Sequence, residues 1–448
     1  MAIVSNQAQT ISELLNRKLT MPKYQRPYKW QPKHVNQLID DIFNHRSKSC
    51  YRLGTVVLHE HGECENASLD IVDGQQRLLT LTLICAVLDP QQKCLSPTLL
   101  AHPFKSSISI QNLKHNAQII HERLVGLTES DKKALLEFVM HKCELIEVTL
   151  NNLSEAFQFF DSQNARGKAL APYDLLKAYH LREMMDSSQQ SERLHHVELW
   201  EQGVNPDNEY AVNLHTIMAE FLFRMRRWID GDYGIQFSRH NLEVFKGINL
   251  ETTHYAYAES MLALDYAVNA YNADPVRKWD KQLKSYPFQV DQTMINGQRF
   301  FEYIQHYIAI HNQLFNVQNG LLDGFIKQYQ LNEMIWRKGD RYVKNLFMCA
   351  VMYYFDKFGA IELESAAKIC YRWAYYLRLN LQRIGMESID NYARGFEQTS
   401  LFRVIRKAIH PQQVLAFQPL HVEQVRFKNA SHVEQSIHLM IYGNNNEQ

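Results

Sequence analysis

The chain has 448 residues, 46% of them hydrophobic and 21% charged, enough for a large core and for two or three domains. Its 48 Lys and Arg balance 48 Asp and Glu, which excludes a uniformly basic surface for phosphate backbones and leaves only local basic patches. Seven cysteines without a C-x-x-C pair argue against a disulfide framework or a structural zinc site and fit reduced thiols. No signal peptide opens the sequence and no run of about 18 apolar residues occurs, so a soluble, cytoplasmic protein with no membrane span is expected.

In chain order, "TISELLNRK" (10–18) predicts a short helix with Thr10 or Ser12 near its cap. Three prolines keep "LTMPKYQRPYKWQPK" (19–33) out of a helix, so this strap is extended. Val35, Leu38, Ile39, Ile42 and Phe43 mark a helix over 34–45. Strands at 51–60 and 69–72 form a hairpin, and 76–88 is a buried helix despite its β-branched residues. Helices follow near 112–126 and 130–141, a strand at 143–150, and a helix at 154–164 capped by Ser154. A loop from 165 enters a helix with Pro172 in its first turn, ending near 185. Beyond the polar break 187–193 the pattern is helical: 193–202, 211–230, 253–272, 298–318, 321–335, 340–357, 362–384 and 398–407. The segment 285–292 reads as a strand or loop. The expected fold is α+β, with an N-terminal domain over 1–186, a mostly α-helical domain over 187–442, and a disordered tail, 443–448.

Three stretches carry chemistry. In "IVDGQQRLL" (71–79) a strand runs through Asp73-Gly74 into a helix. The glycine permits a tight turn, and the helix start offers N–H groups and partial positive charge to a phosphate. Arg77 adds a forked cationic donor, Asp73 a magnesium ligand or water-orienting group, and Gln75 and Gln76 amides that could read a base or ribose edge. The same residues also describe a capped turn, with Asp73 as N-cap and Arg77 in a surface ion pair. In the strap, Tyr24, Gln25, Arg26, Tyr28 and Trp30 offer stacking faces and phosphate contacts, or a core-packed segment with its charges outward. Asn164, Arg166 and Gly167, followed by Lys177, could close over a nucleotide or form an ordinary loop between helices.

"YQRPYKW", "DGQQRLLTL" and "FFDSQNARGKALAPYDLLK" together resemble, in order and spacing, the N-terminal domain of GmrSD-type modification-dependent restriction systems, over about residues 10–185. That family is related to the ParB and sulfiredoxin group, so the resemblance implies a ParB-like nucleotide-binding fold. It implies binding and hydrolysis of a nucleoside triphosphate, GTP or another, with Mg2+. It assigns Asp73, Gln76 and Arg77 to catalysis, with Asp73 also the metal ligand, and Gly74 and Gln75 to nucleotide binding. Tyr24, Gln25, Arg26 and Tyr28 follow as its partner strap, and Asn164, Arg166, Gly167 and Lys177 as further nucleotide contacts. The family's Leu-Asn-x-Arg-Gly is Gln163-Asn164-Ala165-Arg166-Gly167 here, a mild departure.

Many family members add an HNH nuclease domain. His410-Pro411 lacks the following asparagines, and "HNQLFN" (311–316) lacks the proline turn, so the sequence shows no HNH motif. The implied system is split. A sensor or regulatory subunit for foreign, base-modified DNA acts with a separate HNH nuclease subunit bearing a related N-terminal domain, in a homo- or hetero-oligomer. A DNA-binding adaptor without turnover and a ParB-like nuclease stay open as alternatives. Arg224, Arg226, Arg227, Arg372 and Arg378 sit in basic-aromatic helical segments that could meet DNA or a partner, or could pack aromatics inward with arginines at the solvent edge.

Overall fold

Thr10 opens the first helix with a reciprocal cap. Glu13 N–H donates to Thr10 Oγ1 at 3.2 Å, and Thr10 N–H donates to Glu13 Oε2 at 2.8 Å. The computed structural model describes residues 3–22, 25, 27–61, 68–90, 99–104, 107–151, 171–184, 190–204, 212–396, 399–422, 425 and 432–443. It divides into two compact units, residues 1–170 and 171–448.

The first unit contains β1 (Ile3–Thr10), α1 (Ile11–Leu15), β2 (Leu19–Thr20), α2 (Pro32–His45), β3 (Tyr51–His61), β4 (Ser68–Asp73), α3 (Gln75–Leu88), α4 (Ser107–Leu124), α5 (Glu129–His141) and β5 (Cys143–Leu150). The strands form one sheet in the order β1-β5-β3-β4-β2. β3 is central, parallel to β5 and antiparallel to β4. Val35, Leu38, Ile39 and Ile42 of α2 join Leu78, Leu79 and Leu81 of α3 and Leu135 and Phe138 of α5 in the core. The threonines inside α3 are satisfied locally: Thr80 and Thr82 hydroxyls donate to the carbonyls of Gln76 and Leu78, both at 2.8 Å. The hairpin, α3 and β5 lie where the pattern places them; β1 was not anticipated. The helix expected at 154–164 lies outside the described residues.

The second unit is helical: α6 (Pro172–Glu183), α7 (Gln190–Val204), α8 (Leu214–Thr216), a π-helical turn (Ile217–Leu222), α9 (Phe223–Asp230), α10 (Glu259–Ala273), α11 (Pro275–Trp279), α12 (Gln298–Phe315), α13 (Asp323–Gln328), α14 (Lys338–Phe358), α15 (Leu363–Asn380), α16 (Met386–Arg394), α17 (Leu401–Lys407), α18 (Pro411–Leu415) and α19 (His432–Tyr442). The helix expected over 321–335 is shorter, and α11, α16, α18 and α19 were not anticipated. The units part at 170/171 rather than near 186, because α6 packs with the helices after it: buried His180 stacks on Phe300 of α12 at 3.7 Å. Among the described residues no helix is long and apolar enough to cross a membrane.

Candidate functional site

β4 ends at Asp73, opposite Val57 of β3, and the chain turns at Gly74 with φ 93°. The handedness favours glycine, and a Cβ there would press on Val56 Cγ2 at 3.2 Å. Gly74 itself is the N-cap of α3 and no side chain caps the helix. The alternative of Asp73 as cap therefore fails: Asp73 is the last residue of the strand. The first helical bond runs from Leu78 N–H to the Gly74 carbonyl at 2.9 Å, which leaves the N–H groups of Gln75, Gln76 and Arg77 outside the helical ladder.

Arg77 turns back over the central strand. The position of a Cβ on Gly54 lies 2.8 Å from Arg77 Nη1, and Gly54 has φ 119°. The β3–β5 register shifts between Arg52 and Thr55, so a bulge around Gly54 seats the guanidinium. Burial pushes Arg77 below its ordinary pKa, while Asp73 and then Tyr51 oppose the shift. Arginine stays charged nonetheless. Burial, then Asp41 and Cys143, push the Tyr51 phenol up, and Arg77 opposes them. The Tyr51 ring stacks on His45 at 4.2 Å. Among the described residues no hydrogen bond or ion pair reaches the half-buried guanidinium, so Arg77 is not the surface ion pair of the alternative reading.

The two glutamines differ. Gln76, 8% exposed, accepts at Oε1 from Lys29 N–H at 2.8 Å and Trp30 N–H at 3.2 Å, and donates to the Pro27 carbonyl at 3.1 Å. Its amide is occupied in fixing the strap. Gln75 is buried, donates weakly to Met21 Sδ at 3.8 Å, and keeps a buried Oε1 without a hydrogen bond. Gln25 donates to the carbonyls of Ile71 (2.7 Å) and Val72 (2.6 Å), tying the strap to the end of β4. Tyr28 is fully buried. Its hydroxyl meets Thr80 Oγ1 at 2.8 Å and accepts from Asn116 Nδ2 at 3.0 Å, so it is a core group and not a stacking face.

Tyr24, Arg26, Asn164, Arg166 and Gly167 lie outside the described residues. Lys177 is buried in α6, in the second unit. Three residues of the first unit were overlooked in the sequence. Gly54 and Tyr51 surround Arg77, and the glycine inside a strand pattern was the available signal for a bulge. Glu147, fully buried at an inward position of β5, pairs with Arg17 at 2.6 Å and accepts from Thr149 Oγ1 at 2.6 Å. A charge at an inward position of the alternating "CELIEVTL" was its signal.

Among the described residues no group of three His, Cys, Asp or Glu could hold a metal ion. A lone carboxylate such as Asp73 fits magnesium only alongside phosphate oxygens and water, which is magnesium's common mode with nucleotides.

The helical arginines are mostly interior. Arg378, 2% exposed, pairs with Glu434 at 3.0 Å and lies 3.2 Å from Asp340. Arg226 donates to the carbonyls of Val244 (3.1 Å), Val290 (2.7 Å) and Gln292 (3.0 Å). Arg224 is buried against the Glu220 carbonyl at 3.5 Å. These three are structural groups and offer nothing to a phosphate backbone, which corrects the reading of them as DNA or partner contacts. Arg227, paired with Asp232 at 3.0 Å, and Arg372, 5.8 Å from the Tyr442 ring, are half-buried.

The family described as GmrSD restriction endonuclease, N-terminal domain, matches residues 11–181. A family of unknown function, DUF7834, matches residues 192–435, more than half of the chain. A comparison with curated proteins finds no match. The chain belongs to the DUF7834 family and carries, ahead of that region, the N-terminal domain of GmrSD restriction endonucleases, which ties it to restriction systems.

Proposed function

We propose that the N-terminal unit binds and hydrolyses a nucleoside triphosphate with magnesium. In this reading the chain is a sensor or regulatory subunit of a restriction system acting on foreign, base-modified DNA, with a separate HNH nuclease subunit. One observation supports it above the rest. The half-buried Arg77 guanidinium, seated on Gly54 near the open first turn of α3, has no hydrogen-bond partner among the described residues. A cation taken from water beside free helical N–H groups favours a polyanion.

Arg77 would grip phosphoryl oxygens as a fork, and the N–H groups of residues 75–77 would donate to the same charge. Asp73, close enough to Arg77 to favour its charged form, would take the metal or orient a water. Bound magnesium would neutralise charge developing on the phosphates. Gln76 acts at one remove, by positioning residues 27–30. The single carboxylate also suits an adaptor that binds nucleotide without turnover.

The test is phosphate release from ATP, GTP, CTP and UTP with magnesium, with and without phage DNA. The reading expects release by the wild type and a loss of about a hundredfold or more in Arg77→Ala and Asp73→Ala. Nucleotide binding that Arg77→Ala abolishes, with no release, would favour the adaptor. Neither binding nor release would remove both.

A further inference from the structure

A cavity of about 370 Å³ opens in the second unit between α15, the end of α13, α18 and α19. Ser365, Lys368 and Arg372 share one face of α15 by helical spacing and line it, with Tyr371 beside them. Two polar atoms of this side are buried without a hydrogen bond, the Tyr371 hydroxyl and Arg372 Nε. Tyr371 is 1% exposed. Burial, then Tyr375 and Tyr329, push its phenol well above the ordinary range, so it stays protonated and able to donate. Arg372 is half-buried, with its guanidinium 5.8 Å from the Tyr442 ring, and no ion pair reaches it among the described residues. Lys368 pairs at 3.3 Å with the exposed Glu364, a contact that contributes little. Among the described residues no carboxylate lines the cavity, so this side carries positive charge alone. Across from it Leu415, Met440 and Ile441 form an apolar wall. Buried donors left unmade are costly, and these call for an acceptor from outside the chain.

We propose that this cavity binds a nucleotide by its phosphomonoester, with the phosphate on Arg372, Lys368 and the Tyr371 hydroxyl and the base on the apolar wall. Two cations one helical turn apart match a group that carries close to two negative charges at neutral pH. A phosphomonoester does so, and a single carboxylate does not. The guanidinium fork also fits phosphate oxygens. The apolar wall asks for a body beyond inorganic phosphate. A base is flat with apolar faces, and the Met440 thioether favours aromatic rings. The volume lies in the range of small-molecule sites, which join apolar walls to a few polar groups. A free nucleoside monophosphate and the phosphorylated 5′ end of a DNA strand present the same chemistry. The cavity belongs to the second unit alone, and the inference does not rest on nucleotide turnover in the first.

Titration calorimetry of the full chain carrying Arg77→Ala, which removes the candidate site of the first unit, tests the proposal. The probes are the deoxynucleoside monophosphates, their nucleosides, inorganic phosphate, and a short single strand with and without a 5′ phosphate. The phosphorylated probe should bind about tenfold or more tightly than its unphosphorylated counterpart and than inorganic phosphate. Arg372→Ala and Lys368→Glu should each weaken it by about tenfold or more. Lys368 is exposed, so Lys368→Glu reads the site with unchanged thermal melting even where Arg372→Ala lowers it. Binding of the monophosphates supports a free nucleotide as the ligand, and binding of the phosphorylated strand alone supports a DNA end. No binding of either would overturn the proposal. So would binding indifferent to both substitutions, or inorganic phosphate bound as tightly as the nucleotide.

Discussion

Gly54 matters to Arg77 through the atoms it lacks. A Cβ on it would stand 2.8 Å from Arg77 Nη1, on a backbone at φ 119°. Gly54→Ala should therefore cost about 1–3 kcal/mol of stability and displace the guanidinium. Combined with Arg77→Ala, part of that cost should vanish, because the side chain that clashes is gone. Urea denaturation of the two single variants and the double variant reads this coupling, and strict additivity would argue against the seat. The Asp73–Arg77 run was legible in the sequence because acid, glycine, amides and arginine follow one another. Gly54 was not: a lone glycine in a strand announces a bulge but not which distant side chain fills it.

At the scale of elements, the strap and the start of α3 are one construction. The Gln76 amide bonds the backbone at Pro27, Lys29 and Trp30, and Tyr28 plugs the core beneath. Gln76→Ala strands two backbone N–H groups and should destabilise the first unit by about 1–3 kcal/mol. A residue acting on nucleotide directly would lower turnover and leave the urea midpoint unchanged. The three prolines argued against a helix through the strap, but the inward placement of Tyr28 depends on contacts with Thr80 and Asn116, far along the chain. The hairpin, α3 and β5 were readable because their burial follows local periodicity. β1 was not, since its pairing with β5 spans most of the unit.

At the scale of the whole molecule, the helical unit is held by buried polar groups that composition conceals. Glu434 of α19 is fully buried between Arg337 and Arg378. Glu434→Ala would leave Arg378 buried without that partner and should cost about 3–5 kcal/mol by chemical denaturation. Burial lowers the pKa of His180 to about 3 and of His196 and His311 to about 4. His180 sits neutral, its Nε2 against the Phe245 carbonyl at 2.9 Å and its Nδ1 accepting from Gly297 N–H at 3.2 Å. The unfolded chain takes up these protons near pH 6.5, well above the folded values. Stability is therefore full above that pH and falls as pH drops from about 6.5 toward 4. Calorimetry across that window should show the melting temperature falling on the acid side; a flat profile would contradict buried neutral histidines. The compact units part at 170/171, whereas the two family matches part between 181 and 192, around the boundary near 186 that the sequence suggests. The polar run at 187–193 resembles a linker, whereas α6 joins the later helices through contacts such as His180 on Phe300.

The most direct test of the central claim is magnesium-dependent phosphate release by the wild type and by Arg77→Ala, compared at equal thermal stability. The account predicts turnover of at least one nucleoside triphosphate that the substitution reduces by about a hundredfold or more. Equal turnover in the two proteins would contradict it, because the seated guanidinium would then have no part in the chemistry.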